Sequence, residues 1–149
     1  MKKIMNSFNL RFPSKSNNEA FARAAAAAFI AQLDPTLDEL NDIKTAVSEA
    51  VTNCIVHGYR DSVGVIYMSV QLVEPATVEI AVRDQGCGID DIERARTPMF
   101  TTGGVERSGM GFTIMESFMD RLSVRSAPGK GTTVRMQKAL SQRLSGSGR

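Results

Sequence analysis

Glu49 and Asn53 stand four residues apart, so on a helix they lie one above the other on the same face. A carboxylate and an amide oxygen in that arrangement suit Mg²⁺ chemistry. Mg²⁺ prefers hard oxygen ligands and takes one or two from protein, the rest from phosphates and water. Asn53 offers such an oxygen, and Glu49, one turn away, could take the proton from an attacking hydroxyl. An ordinary solvated helix face is the alternative reading, since surface acids and amides are common. Two further segments offer complementary chemistry. Asp84-Gln85-Gly86-Cys87-Gly88 closes a β-rich run. Gly86 and Gly88 let the backbone turn sharply and approach a flat ligand, and Asp84 can accept a hydrogen bond from an adenine amino group. A plain Asp/Gly turn would look the same. Arg107-Ser108-Gly109-Met110-Gly111-Phe112 precedes a helical pattern. Glycines opening a helix expose N–H groups, and the helix dipole there favours phosphate. A flexible lid hinge is the other reading. The segment is neither a Walker loop nor a dinucleotide fingerprint, because no Gly-Lys-Ser/Thr ends it and no strand leads directly into it.

These residues need elements to hold them. Leu40, Ile43, Val47, Val51 and Cys54 form one apolar stripe, which leaves Glu49 and Asn53 roughly opposite. Thr36-Leu37-Asp38-Glu39 is a capping box that opens this helix, and Gly58, after His57, is its expected C-terminal cap. An alanine-rich helix comes before it, opened by the capping signal Ser16-Asn17-Asn18-Glu19 and stopped at Asp34-Pro35. A strand is expected over residues 5–12, with Phe8, Leu10 and Phe12 on one side. Two more are expected within residues 63–84, divided by Glu74-Pro75, with Ile66, Met68, Val70 and Leu72 facing one way. A helix over about 110–120 is followed by strands near 121–126 and 132–138, around the turn Pro128-Gly129-Lys130-Gly131. The stretch between, about 89–108, reads as a functional loop or lid. The order β-α-α-β-β-loop-α-β-β gives an α/β (α+β) fold. It is a two-layer sandwich, a mostly antiparallel sheet covered on one face by three helices. One domain is expected over 1–140, and the Gly/Ser-rich tail 141–149 is expected to be disordered.

The composition narrows the function classes. A chain of 149 residues suits one domain with one core. A net charge of +2, with Lys and Arg scattered, argues against direct nucleic-acid binding. Two distant cysteines and a single His leave no Cys/His metal site and fit a reducing cytoplasm. Met1-Lys2-Lys3 is followed by Asn6, Ser7, Asn9 and Arg11 where an export signal would be apolar. The apolar run Ala24 to Ala31 falls short of the ~20 residues that span a bilayer. The expectation is a cytoplasmic protein with no membrane partner.

A helix with Glu49 and Asn53, then Asp84-x-Gly-x-Gly, a lid and Gly109-x-Gly111, in that order, resembles the Bergerat-type ATP-binding fold of gyrase, the Hsp90 chaperone, histidine kinases and MutL. Phe21-Ala22-Arg23, Ser48-Glu49-Ala50-Val51-Thr52-Asn53, His57-Gly58-Tyr59, Phe100-Thr101-Thr102 and the run from Glu106 to Glu116 narrow the match. Over roughly residues 5–138 the chain is similar to the anti-sigma F factors. The resemblance implies a dimer that binds a sporulation sigma factor and uses ATP and Mg²⁺ to phosphorylate a serine on an anti-anti-sigma factor. It implies Glu49 as catalytic base and Asn53 as Mg²⁺ ligand. Asp84, Gly86, Gly88, Thr101, Arg107, Ser108, Gly109, Met110 and Gly111 would lie at the nucleotide. Thr132 would lie there too, with Thr133 as the alternative, and Arg23 would contact the protein partners. A non-catalytic, ATP-gated sigma clamp and a simple ATPase are the rival activities, and Glu49 discriminates because a clamp needs no base. The chain departs from the family at Gln85, where an acid is expected, and at Gly103-Gly104-Val105, a lid segment that is shorter and lacks a lysine. Cys87 reads as a small apolar filler beside the adenine. His57 reads as a helix-end packing residue, with a phosphate contact as the alternative. Met110, Met115 and Met119 read as packing residues.

Overall fold

The computed structural model describes residues 2–89 and 110–141. Strand β1 (Ile4–Pro13) leads into helix α1 (Asn17–Ile30) and then helix α2 (Leu37–Asn53). Strands β2 (Val65–Val73) and β3 (Thr77–Asp84) follow, then helix α3 (Met110–Phe118) and strands β4 (Arg121–Ala127) and β5 (Gly131–Ala139). The five strands form one antiparallel sheet in the order β1-β2-β3-β5-β4. Alternation along each strand turns one face inward. Ile66, Met68, Val70 and Leu72 of β2 are buried, as the sequence pattern predicts, while Tyr67, Ser69 and Gln71 are half-buried. The register aligns Phe8, Val70, Ile80, Met136 and Leu122 in one apolar row across all five strands.

The helices cover that face. Ala22, Ala26 and Ile30 of α1, and Ile43, Ala46, Val47, Ala50 and Val51 of α2, have no exposed surface. The alanines set how closely α1 and α2 approach each other, because a methyl adds little between the two backbones. Met115 and Met119 are buried with Phe112 in the same core, as expected of packing methionines. Transfer of a Leu- or Val-sized side chain from water contributes about 1.5–3 kcal/mol, so this shared core is the main source of stability.

The ends of the helices divide into two expectations met and two corrected. At α2 the capping box forms: the Glu39 N–H donates to Thr36 Oγ1 at 3.1 Å, and the Thr36 N–H donates to Glu39 Oε1 at 2.8 Å. At α1 it does not. Ser16 is already helical, at φ −58°, ψ −31°, so its hydroxyl caps nothing. Glu19 instead pairs with Arg23 at 2.9 Å. The Gly58 cap is also corrected. Past Asn53 the helix widens into a single π-helical turn, Cys54–Gly58, in which the Tyr59 N–H donates to the Cys54 carbonyl at 2.9 Å. Gly58 does not adopt a left-handed backbone, so a different requirement selects glycine there. The α1 stop at Asp34-Pro35 holds: a 3₁₀ turn, Ala31–Leu33, ends at Asp34 with φ 56°. The expected lid over 89–108, apart from Ile89, and the tail from 142 onward lie outside the described residues.

Candidate functional site

The first cluster forms where α2 meets the start of α3. Glu49 and Asn53 are both half-buried. A Cβ placed on Gly111 would stand 3.1 Å from Asn53 Oδ1 and 3.2 Å from Glu49 Oε1. The amide and carboxylate oxygens therefore converge on one point at the first turn of α3, and glycine leaves them room. The sequence places the pair opposite the apolar stripe; instead it flanks the buried face beside Ala46 and Ala50, where α2 meets α3. Gly111 itself is buried. The donor set fits Mg²⁺, which needs only one or two protein oxygens when phosphates supply others. Among the described residues, no group of three or more His, Cys, Asp or Glu could hold a metal ion. Asn53 Oδ1 and Glu49 Oε1 are the hard oxygens this part of the fold offers.

The second cluster lies one π-helical turn further along the chain. Asp84 ends β3 with only 4% of its surface exposed. Its carboxylate accepts the Gly86 N–H at 2.9 Å, and the Cys54 thiol and the Thr132 backbone lie close enough to favour its charged form. Burial pushes the Asp84 carboxyl above its ordinary value, and these three groups oppose that rise without cancelling it. Burial and the Asp84 charge together push the Cys54 thiol far up, so it is a neutral donor. Thr132 pairs directly with Asp84 across β3 and β5, whereas Thr133 pairs with Arg83. The Ser126 hydroxyl stands 2.8 Å from Thr132 Oγ1 and accepts the Ile89 N–H at 2.7 Å.

The glycines of this segment let the chain pack against itself. A Cβ on Gly86 would overlap the Gly58 carbonyl, whose oxygen accepts the Cys87 N–H at 2.9 Å. Gly88, at φ 78°, lies against the Ala127 carbonyl of the β4–β5 hairpin. The close approach that Gly86 and Gly88 permit in this structure is to backbone. Cys87 is exposed in the structure, and its thiol donates to the His57 carbonyl at 3.1 Å. The His57 side chain is half-buried at the end of the π-helical turn.

Arg23 lies apart from both clusters. It donates to Glu19 Oε2 at 2.9 Å and to Ser48 Oγ at 3.2 Å, and 39% of its side chain remains exposed beside the half-exposed Phe21. It therefore ties α1 to the residue just before Glu49 and still presents guanidinium to solvent. Met110 supplies the first residue of α3. Thr101, Arg107, Ser108 and Gly109 lie outside the described residues. The sequence reading passed over Ser126 and the role of Gly58. Ser126 carries no local signal, since its partners are reached only through strand pairing. Gly58 was visible as a glycine at a helix end, but its neighbour Asp84 is distant in sequence.

The histidine kinase-like ATPase domain family model matches residues 12–138. The anti-sigma F factor of Bacillus licheniformis is 58% identical over 141 residues, which cover 93% of this chain and 96% of that protein. The anti-sigma F factor of Geobacillus stearothermophilus is 56% identical over 142 residues, 94% and 97% of the two chains. The crystal structure of the RsbU and RsbW domains of Rv1364c from Mycobacterium tuberculosis superposes with a TM-score of 0.68 at 21% identity. The match covers 93% of this chain and 33% of that one, a likeness of fold.

Proposed function

The chain belongs to the anti-sigma F factors and to the histidine kinase-like ATPase domain family, and on that premise we propose that it binds a sporulation sigma factor, so blocking transcription, and uses Mg-ATP to phosphorylate a serine of its anti-anti-sigma factor. The observation that carries the catalytic half is the convergence of Glu49 and Asn53 on Gly111 at the opening of α3. Glu49 accepts the proton of the attacking serine hydroxyl. Asn53 Oδ1 would hold Mg²⁺, which when bound would neutralise phosphate charge. The start of α3 adds the partial positive charge of a helix N-terminus beside the transferring phosphoryl group. At the other end of the site Asp84 accepts from the adenine amino group, with Thr132 beside it. Gly86 and Gly88 keep the Asp84 loop packed down so that the base can lie against it.

The partner half rests on Arg23 and on the family. A half-exposed guanidinium next to Phe21 suits a carboxylate-bearing protein surface, because its planar fork pairs bidentately. Sigma factor and anti-anti-sigma factor share this surface on a homodimer in the cytoplasm. Two negative charges added at the substrate serine then change which of them stays bound. Among the described residues no helix is long and apolar enough to cross a membrane. Incubating the pure protein with labelled ATP, Mg²⁺ and the anti-anti-sigma factor tests the reading. Phosphoserine on the acceptor is expected. Phosphate release without a labelled acceptor would make it a simple ATPase, and tight sigma binding with no turnover would make it a clamp.

A further inference from the structure

Asp84 is buried, and its carboxylate is walled in on several sides. An ionised carboxylate has about four lone-pair sites. The Gly86 N–H occupies one at 2.9 Å, and the Cys54 thiol and the Thr132 backbone stand close enough to favour the charged form. The π-helical turn supplies the remaining wall. A Cβ on Gly58 would stand 2.6 Å from Asp84 Oδ2 and 2.8 Å from Cγ, so the bare Cα of Gly58 is in contact with the carboxylate. The same residue's carbonyl holds the Cys87 N–H at 2.9 Å, which fixes the loop from which the Gly86 N–H points back at Asp84. Cys54 and Gly58, the first and last residues of one turn, thus bracket a single side chain. The turn is a local widening of α2, and such π turns concentrate at functional sites. Cys54 and Gly58 stand four residues apart, so both lie on the side of this turn that meets Asp84.

We infer that the π-helical turn Cys54–Gly58 is a positioning device for base recognition, with Cys54 and Gly58 holding the Asp84 carboxylate in the one orientation that leaves an acceptor free for the 6-amino group of a purine. The inference rests on the assignment of Asp84 to the adenine. Neither residue needs to touch the nucleotide; both act through Asp84. The turn also begins at the residue after Asn53, so the same stretch of backbone connects the phosphate end of the site to the base end.

The two roles separate in binding titrations of the full chain with ATP and with purine riboside triphosphate, which keeps the ring and phosphates but lacks the amino group. Losing a hydrogen bond to a charged acceptor typically costs roughly 10- to 100-fold in affinity. Gly58→Ala, which pushes a methyl into the carboxylate, is expected to weaken ATP by about 10-fold or more while the amino-free analogue changes less than about threefold. Cys54→Ala removes a weak neutral donor and is expected to narrow the ATP preference by about two- to tenfold, with Cys54→Ser retaining it. Should Gly58→Ala fail to fold, as judged by its thermal melt, the Cys54 pair decides alone. Equal losses for both nucleotides, or an unchanged ATP preference in every variant, would overturn the positioning role. Asp84→Asn separates this from the underlying assignment. If Asp84→Asn leaves the ATP preference intact, the adenine role of Asp84 is wrong. If it abolishes the preference while the Gly58 and Cys54 variants keep it, only the turn's role is wrong.

Discussion

At the scale of single residues, the decisive atom is Glu49 Oε1. Glu49→Gln keeps the size and the contact with Gly111 but removes basicity. General-base assistance is typically worth about 10²–10⁴-fold, so phosphorylation of the acceptor is expected to fall by that factor while ATP affinity stays within about threefold. Near-normal transfer by the variant would show that the hydroxyl proton leaves by another route. Asp84 makes the opposite case, a residue whose surroundings work against its charge. Burial raises its carboxyl, so the acceptor form is lost at a higher pH than for an exposed aspartate as the solution is acidified. ATP affinity should therefore decline on acidification before the affinity of an amino-free purine triphosphate does.

At the scale of elements, α3 is placed by a compromise between helix stability and site geometry. Gly111 in the first turn costs up to about 1 kcal/mol of helix propensity relative to alanine. A methyl there would crowd Asn53 and Glu49 at 3.1–3.3 Å. Gly111→Ala is therefore expected to hold or raise Tm while phosphoryl transfer drops by about 10-fold or more, since misplacement by a fraction of an ångström is costly to catalysis. A melt together with a transfer assay on the same sample decides it. The start of α2 responds to pH. Burial alone would raise the Glu39 carboxyl, but N–H groups of Ser141 and Thr36 outweigh it and hold the group below its ordinary value. Its contribution to stability is complete above the unfolded value and is lost as pH falls through the folded one. Glu39→Gln should flatten that acid limb of a Tm-against-pH curve, and Thr36→Ala should cost about 1 kcal/mol at neutral pH. Periodicity and capping rules made α2 legible from Thr36 to Asn53, and the alternation in β2 and β3 was equally plain. Three features were not legible. Ser16 carries the same capping signature as Thr36, but its backbone is helical and Glu19 is drawn to Arg23. The π-helical turn has no residue code of its own. Asp84, Thr132 and Ser126 meet only through the pairing of β3 with β5 and of β4 with β5. The site residues were found one motif at a time, and their convergence required the sheet.

At the scale of the whole molecule, the proposed function puts the chemistry and the partner surface in one layer. Arg23 links α1 to Ser48, one residue before Glu49, so the guanidinium proposed to meet partners sits close in the fold to Glu49. Arg23→Glu reverses the charge and places two carboxylates four residues apart with Glu19. Binding to the sigma factor and to the anti-anti-sigma factor is each expected to weaken by more than about 2 kcal/mol, in the range of an interface hot spot, with ATP affinity unchanged. Unaltered affinity for both partners would leave Arg23 a helix-pairing residue only. The order β1-β2-β3-β5-β4 has a consequence for biosynthesis. Strands β1 to β3 and helix α2 can assemble as soon as they emerge, and they bring Glu49, Asn53 and Asp84 with them. Thr132 arrives from the last hairpin, whose pairing with β3 is the long-range step of the sheet. On the proposed function, a nascent chain still holding β5 in the ribosome would have Glu49 and Asn53 in place but would lack Thr132 beside Asp84. Nucleotide binding is then expected only after β5 has paired with β3.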